Sequence, residues 1–181
     1  MASAQSFRNE FLVALPALKG DYFENTVSLL VDHTEEGAFG LVINRPLGTG
    51  ISELFPELEG RFTCPVLEGG PVQQDRVFFL HDSGNEYDAT FKVSDDISMT
   101  SSPDFIAAMR DGRAPSHTLA LIGYAGWDGM QLENEISENV WLLTPADPGI
   151  LFTTPYEDRA QAAASQLGID LNLISPIAGH D

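Results

Sequence analysis

Basic residues are scarce in this chain. Nine lysines and arginines stand against 27 aspartates and glutamates over 181 residues, a formal net charge of -18. Lys19 and Lys92 are the two lysines, and the arginines (Arg8, Arg45, Arg61, Arg76, Arg110, Arg113, Arg159) are scattered. Such a surface repels phosphate backbones and anionic headgroups, which counts against direct DNA binding and against a membrane partner. The acidic residues are dispersed and form no tail, so the charge reads first as a solubility feature, with adaptation to a salty habitat as a second reading. Cysteine is nearly absent: Cys64 stands alone, which excludes an intrachain disulfide and fits a reducing compartment. Residues 1–10 have no apolar signal-peptide core and no run approaches a membrane span, so a cytoplasmic protein is expected.

Several chemical signatures are missing too. There is no G-x-x-x-x-G-K-[ST] or G-x-G-x-x-G phosphate loop and no G-x-S-x-G nucleophile turn. The histidines, His33, His81, His117 and His180, show no H-x-H or H-E-x-x-H spacing, so no metal and no cofactor is expected. His81-Asp82-Ser83 has the residue types of a triad, but consecutive strand residues point to opposite faces. Cys64 lies beside Pro65 in apolar sequence and reads as a structural thiol.

What is present is a core. Hydrophobic residues make up 43% of the chain, enough for one domain over 1–181. Apolar, β-branched runs predict strands at Phe11–Leu15, Thr26–Asp32, Phe39–Asn44, Pro65–Glu68, Arg76–His81, Thr90–Val93, Ile97–Met99, Thr118–Tyr124 and Val140–Leu143. The second and third make a hairpin with a loop of several residues around Glu35-Glu36-Gly37. Ile51–Phe55 suits a short helix, and Ser102-Pro103-Asp104 opens another with Ser102 as its cap. Thr144–Asp147 opens a helical turn, and Thr154-Pro155-Tyr156-Glu157 opens the last helix with Thr154 as its cap and Gly168 as its stop. Ile169–Ile174 would be a final extended segment. Strands come early and helices late, which argues for α+β with a mixed sheet.

The most informative stretch runs from Gly123 to Ile136. It reads as a buried strand that breaks at glycines and restarts as a helix, with Trp127 at the corner. Asp128 would cap the helix and Gln131 would return a capping-box bond. Trp127 reads as a core aromatic more readily than as a stacking platform. Glu133 and Glu135 fall on different helix faces, so they are no catalytic pair, and Glu135 shares a face with Gln131. Gly69-Gly70-Pro71 reads as a tight turn. Arg45, after a buried strand, either holds an internal carboxylate such as Glu68 or Glu135, or presents its fork to an anionic ligand.

The motifs occur in a recognisable order. His33 followed by Gly37-Ala38-Phe39-Gly40-Leu41-Val42-Ile43-Asn44-Arg45-Pro46 is the first, and Gly69-Gly70-Pro71-Val72 with Asp75-Arg76 and Leu80-His81 is the second. Gly123-Tyr124-Ala125-Gly126-Trp127 with Gln131-Leu132-Glu133 and Glu135 is the third, followed by Trp141 and by Pro145-Ala146-Asp147-Pro148 with Ile150-Leu151-Phe152. In this order, over nearly its whole length, the chain resembles the AlgH/YqgE family of bacterial proteins. The resemblance implies an α+β fold of coiled, mixed sheets built largely by the hairpin-rich N-terminal half, with helices from the C-terminal half flanking them. It implies no settled biochemistry. The family name carries a proposed role in transcription regulation, which the charge makes indirect, through a protein or small-molecule partner. The leading expectation is a non-enzymatic binding or regulatory protein with a site near Asn44, Arg45, Gly69, Gly70, Pro71, His81, Trp127, Gln131 and Glu135. The alternative is a small hydrolase-like enzyme with a cleft near Arg45, His81 and Glu135. A third reading is self-association through the Ala-rich last helix.

Overall fold

The computed structural model describes residues 6–174. His180 and the first five residues of the N-terminal stretch lie outside the described residues. In chain order the elements are β1 (Glu10–Ala14), β2 (Val27–Thr34), β3 (Gly37–Val42), α1 (Ile51–Leu54), β4 (Val66–Glu68), β5 (Val72–Asp82), β6 (Thr90–Lys92), β7 (Ile97–Thr100), α2 (Asp104–Arg110), β8 (Thr118–Asp128), α3 (Gln131–Ser137), β9 (Trp141–Pro145), α4 (Pro148–Phe152) and α5 (Tyr156–Ser165). The fold is α+β, as the segregation of strands and helices along the sequence requires. The chain forms two compact units. One comprises the residues up to Asn44 and those from Gly126 onward; the other is Arg45–Ala125.

In the first unit the strand order is β3-β2-β1-β9, every pair antiparallel. Phe11, Leu12 and Val13 of β1 are all completely buried, and so are Leu29 and Leu30 of β2. Consecutive burial means that both faces of these strands are covered, which is why they read as continuous apolar runs. Each large side chain so buried contributes about 1.5–3 kcal/mol. Helix α5 packs on β1, β2 and β9, and α3 packs on β3 and β9. Ala163 and Ala164 on the buried side of α5 are small enough for close approach, and the Thr144 hydroxyl donates to the Ala163 carbonyl at 3.0 Å. Arg159 is also buried on α5. Its Nε donates to the Thr154 carbonyl at 2.8 Å and its Nη1 to the Ile43 carbonyl at 2.6 Å, over the Tyr156 ring. Burial lowers the pKa of this guanidinium, and the Tyr156 charge opposes that shift.

In the second unit the order is β6-β7-β5-β8, antiparallel throughout, with β4 parallel to β8, so the sheet is mixed. Ile51, Leu58, Val66, Phe79, Phe105, Met109 and Ala120 form its core, with the Phe79 and Phe105 rings stacked at 4.8 Å. Cys64 packs against this core; burial pushes its thiol up to about 12, which a hydrogen bond from the Ala120 backbone only partly opposes. That thiol is no nucleophile at neutral pH.

The β2–β3 hairpin needs only Glu35 and Glu36 between its strands, because Gly37 already belongs to β3. Strand β8 does not break at its glycines but runs on through Trp127 to Asp128. Its pairing with β5 jumps from Val72↔Tyr124 to Val77↔Ile122, so residues 73–76 bulge opposite Gly123. A Cβ on Gly123 would lie 2.4 Å from the Gly70 carbonyl oxygen, and one on Gly70 would lie 2.1 Å from the Tyr124 carbonyl carbon. Both positions serve close backbone approach within the sheet, at positive φ, rather than ending a strand. Ser102 caps no helix N–H. Its hydroxyl oxygen takes the Ala89 N–H at 2.9 Å and its O–H goes to the Asp104 carboxylate. Thr154 likewise donates its hydroxyl to the Gly149 carbonyl instead of capping α5. Ile169–Ile174 is not extended throughout: Leu171–Leu173 form a 3-10 turn, with Asp170 accepting the Asn172 N–H.

Candidate functional site

The turn after β8 sets the geometry of the first cluster. Met130 takes the left-handed conformation (φ 66) and is 52% exposed, and α3 starts immediately after it. A methionine held there stores about 1 kcal/mol or more of backbone strain. Gln131 Oε1 accepts the Asp128 N–H at 2.9 Å, which is the Gln half of the expected capping box. The other half is absent: Asp128 does not cap α3, because the turn residues Gly129 and Met130 separate it from the first helical N–H groups.

One turn along α3, Glu135 joins two tryptophans. Its Oε1 accepts the Trp127 indole N–H at 3.1 Å and the Trp141 indole N–H at 3.0 Å, while its Oε2 accepts from Gln131 Nε2 at 3.1 Å. Trp127 and Trp141 are 7% and 3% exposed and meet edge to face at 5.9 Å. Phe23 lies 6.3 Å from Trp127 and 5.6 Å from Trp141. Opposite, Gly40 leaves room for the indole: a methyl there would approach the Trp127 ring to 3.1 Å. Glu135 therefore satisfies two buried donors that no other described group bonds, and Trp127 is a core residue.

A second pair on α3 has no signal in the sequence. His33 Nε2 and Glu133 Oε2 are 2.8 Å apart, and His33 Nδ1 lies 2.9 Å from the Phe7 N. The Phe7 N–H can only donate, so Nδ1 is unprotonated and Nε2–H donates to Glu133. The carboxylate orients the imidazole as in a catalytic dyad, but the nitrogen that would act as base already holds Phe7.

In the second unit His81 is completely buried. The Asp82 carbonyl, 2.8 Å away, fixes the proton on Nδ1, and the Thr100 hydroxyl at 2.8 Å donates to Nε2. The Thr90 hydroxyl donates to Thr100 and accepts the Tyr87 N–H, both at 2.8 Å. Phe105 stacks on the ring at 4.7 Å. Burial lowers the His81 pKa, against a smaller upward push from the Asp82 carbonyl and charge.

Asn44, in the first unit, takes the Val27 N–H on Oδ1 at 3.1 Å and donates Nδ2 to the Asn25 carbonyl at 2.9 Å. In the second unit the Arg45 carbonyl accepts the Glu68 N–H at 2.8 Å, and the Gly69 N–H goes to the Ile122 carbonyl at 2.8 Å. The Gly70 carbonyl accepts from the Gln74 side chain at 3.1 Å, and Pro71 is exposed. Trp127, Gln131 and Glu135 are thus one bonded cluster. Among the described residues no group of three or more His, Cys, Asp or Glu is arranged to hold a metal ion. No described helix is long and apolar enough to cross a membrane.

An α+β protein whose signature glycines and polar residues are spent on close strand packing and internal hydrogen bonds is the class that this geometry defines. The chain belongs to the AlgH-like family, whose model matches residues 11–172. It is 42% identical to the UPF0301 protein AlgH of Pseudomonas aeruginosa over 99% of this chain and 98% of that one. A UPF0301 protein of Hahella chejuensis is 43% identical at the same coverage of both chains. The solution structure of Pseudomonas aeruginosa AlgH has a TM-score of 0.79 and 41% identity, covering 100% of this chain and 99% of its own. A crystal structure from Corynebacterium diphtheriae, at 23% identity and a TM-score of 0.76, covers 97% of this chain and 94% of its own and shares the fold. The family is uncharacterised.

Proposed function

We propose that this protein is a non-enzymatic binding or regulatory protein, with at most an indirect part in transcription through a protein or small-molecule partner. The observation that carries this reading is the state of its candidate acid–base groups. Both nitrogens of His33 and of His81 and both oxygens of Glu135 are bonded inside the fold. A general base needs a lone pair within reach of a substrate proton; the lone pairs of both imidazoles are taken, and the Glu135 carboxylate is held by two indoles and Gln131. The net charge of -18 supports an indirect rather than a direct relation to DNA.

The proposed ligand contacts are Asn44, Gln131 and Glu135 in one unit and Arg45 and Pro71 in the other, with the buried Trp127, Gly69, Gly70 and His81 shaping the backbone and packing behind them. The reading of 1–181 as a single functional domain is supported by the family match, which runs across both units.

Native mass spectrometry of the full chain against a metabolite library tests the proposal. The expected result is a retained ligand that Gln131→Ala weakens, together with no turnover of ester or phosphoester substrates. Hydrolysis that Glu135→Gln abolishes would instead establish the hydrolase-like alternative.

A further inference from the structure

The N-terminal segment is fastened to a single histidine. Phe7 donates its N–H to His33 Nδ1 at 2.9 Å and lays its ring on the imidazole, centroids 4.8 Å apart and planes within 9°. The Ser6 hydroxyl donates to the His33 carbonyl at 3.1 Å. On its other side the imidazole donates Nε2–H to Glu133.

The two ring partners make opposite demands. Phe7 needs an unprotonated Nδ1, whereas Glu133 is best served by an imidazolium. Only the neutral ring with its proton on Nε2 satisfies both. A second proton would sit on Nδ1, facing the Phe7 N–H at a distance where one of the two must accept. The bond to Phe7 cannot survive that, while the bond to Glu133 becomes charge-assisted and shorter. The ring stack attracts in either state and so does not discriminate between them.

We propose that Phe7 is a proton-operated latch on His33, closed over a neutral imidazole and released when the ring takes its second proton, while the Ser6 bond to the His33 backbone carbonyl is indifferent to the ring's charge. Release bares the imidazole face that Phe7 covers. The charged groups around the ring are few. Glu133 faces it from α3. Asp32, the preceding residue of β2, takes the His33 backbone N–H on Oδ1 at 2.9 Å. β3 places Ala38 opposite, and Arg8 follows Phe7 on the latch itself.

The test is a pH series on the full chain with histidine ring nitrogens labelled and amide hydrogen exchange followed by NMR. The protection factor, which removes the intrinsic pH dependence of exchange, is the quantity to follow. As the His33 ring titrates, Phe7 protection is expected to fall about fivefold to tenfold, the loss of one hydrogen bond. The Ala14 amide, bonded to the Thr26 carbonyl at 2.9 Å, should hold its protection through the same step. Glu133→Gln changes the partner of Nε2, and wherever the ring then titrates the Phe7 step should follow it. Phe7 protection that stays constant through the ring titration overturns the latch. So does a Phe7 step that stays in place when Glu133→Gln moves the ring.

Discussion

Each unit buries a histidine near a strand end, and the two are wired differently. His33, 5% exposed, is tied to a carboxylate whose side chain is 25% exposed. His81, 0% exposed, is tied to a hydroxyl and a carbonyl and packed against Phe105 and Tyr87. A proton arriving at His33 meets a counter-ion that opens to water. A proton arriving at His81 becomes a charge in an aromatic core that the Asp82 carbonyl and charge offset only in part, which costs more. Burial alone therefore does not decide what a histidine can do; its partners do. The same contrast runs through the units at large. The first holds its tryptophans through a charged group, Glu135, whereas the second holds its core polar residues through a chain of neutral hydroxyls.

The largest effect should come from breaking the second unit's backbone packing. Gly123→Ala puts a methyl into the Gly70 carbonyl at a positive-φ position, and urea unfolding should show a loss of about 4 kcal/mol. The first unit's counterpart is smaller. Glu135→Ala leaves two buried indole N–H groups without an acceptor, for an expected loss of about 2–3 kcal/mol with a shift in tryptophan emission. Glu135→Gln keeps one oxygen for both indoles and should recover more than half of that loss. A charge essential to the cluster would show as no recovery.

The smallest effect is a slope in pH. His81 is held neutral, with its folded pKa below the ordinary imidazole value of 6.5. Its contribution to stability is complete above 6.5 and drains away as pH falls from there through the lowered folded value, because the unfolded chain takes the proton first. His81→Asn should flatten that slope in denaturant midpoints measured from pH 7.5 to 5. An unchanged slope would show that other groups carry it.

Much of the fold was legible in the sequence. The runs Phe11–Leu15 and Thr26–Asp32 announced buried strands because both of their faces are covered. What misled was glycine. Gly123 and Gly126 look like breaks in sequence, but Gly123 sits where the β5 bulge brings another backbone to it, a partner that no local window contains. Ser102 and Thr154 carry the right side chains for caps, but other partners hold them: the distant Ala89 N–H and the nearby Asp104 carboxylate for Ser102, and the Gly149 carbonyl of the preceding helix for Thr154. The Gln131 bond was legible because its partner is three residues away. The His33–Glu133 pair was not, since its members are separated by 100 positions. Glu135 fell between these cases: Trp127 and Trp141 are near it in sequence, but that both should point at one carboxylate oxygen is decided by the packing of α3 on β9.

The way the first unit is split by the second also sets a timetable. A ribosome releases β1, β2 and β3, then all of Arg45–Ala125, and only afterwards β9 and α5. At about 5–20 residues per second, the second unit takes several seconds to emerge. Through that interval β1 has β2 on one side and nothing of its own chain on the other, where Trp141–Pro145 will later pair. A waiting edge of five residues is short enough to limit mispairing between nascent chains, and a longer β1 would carry a greater risk of aggregation during synthesis.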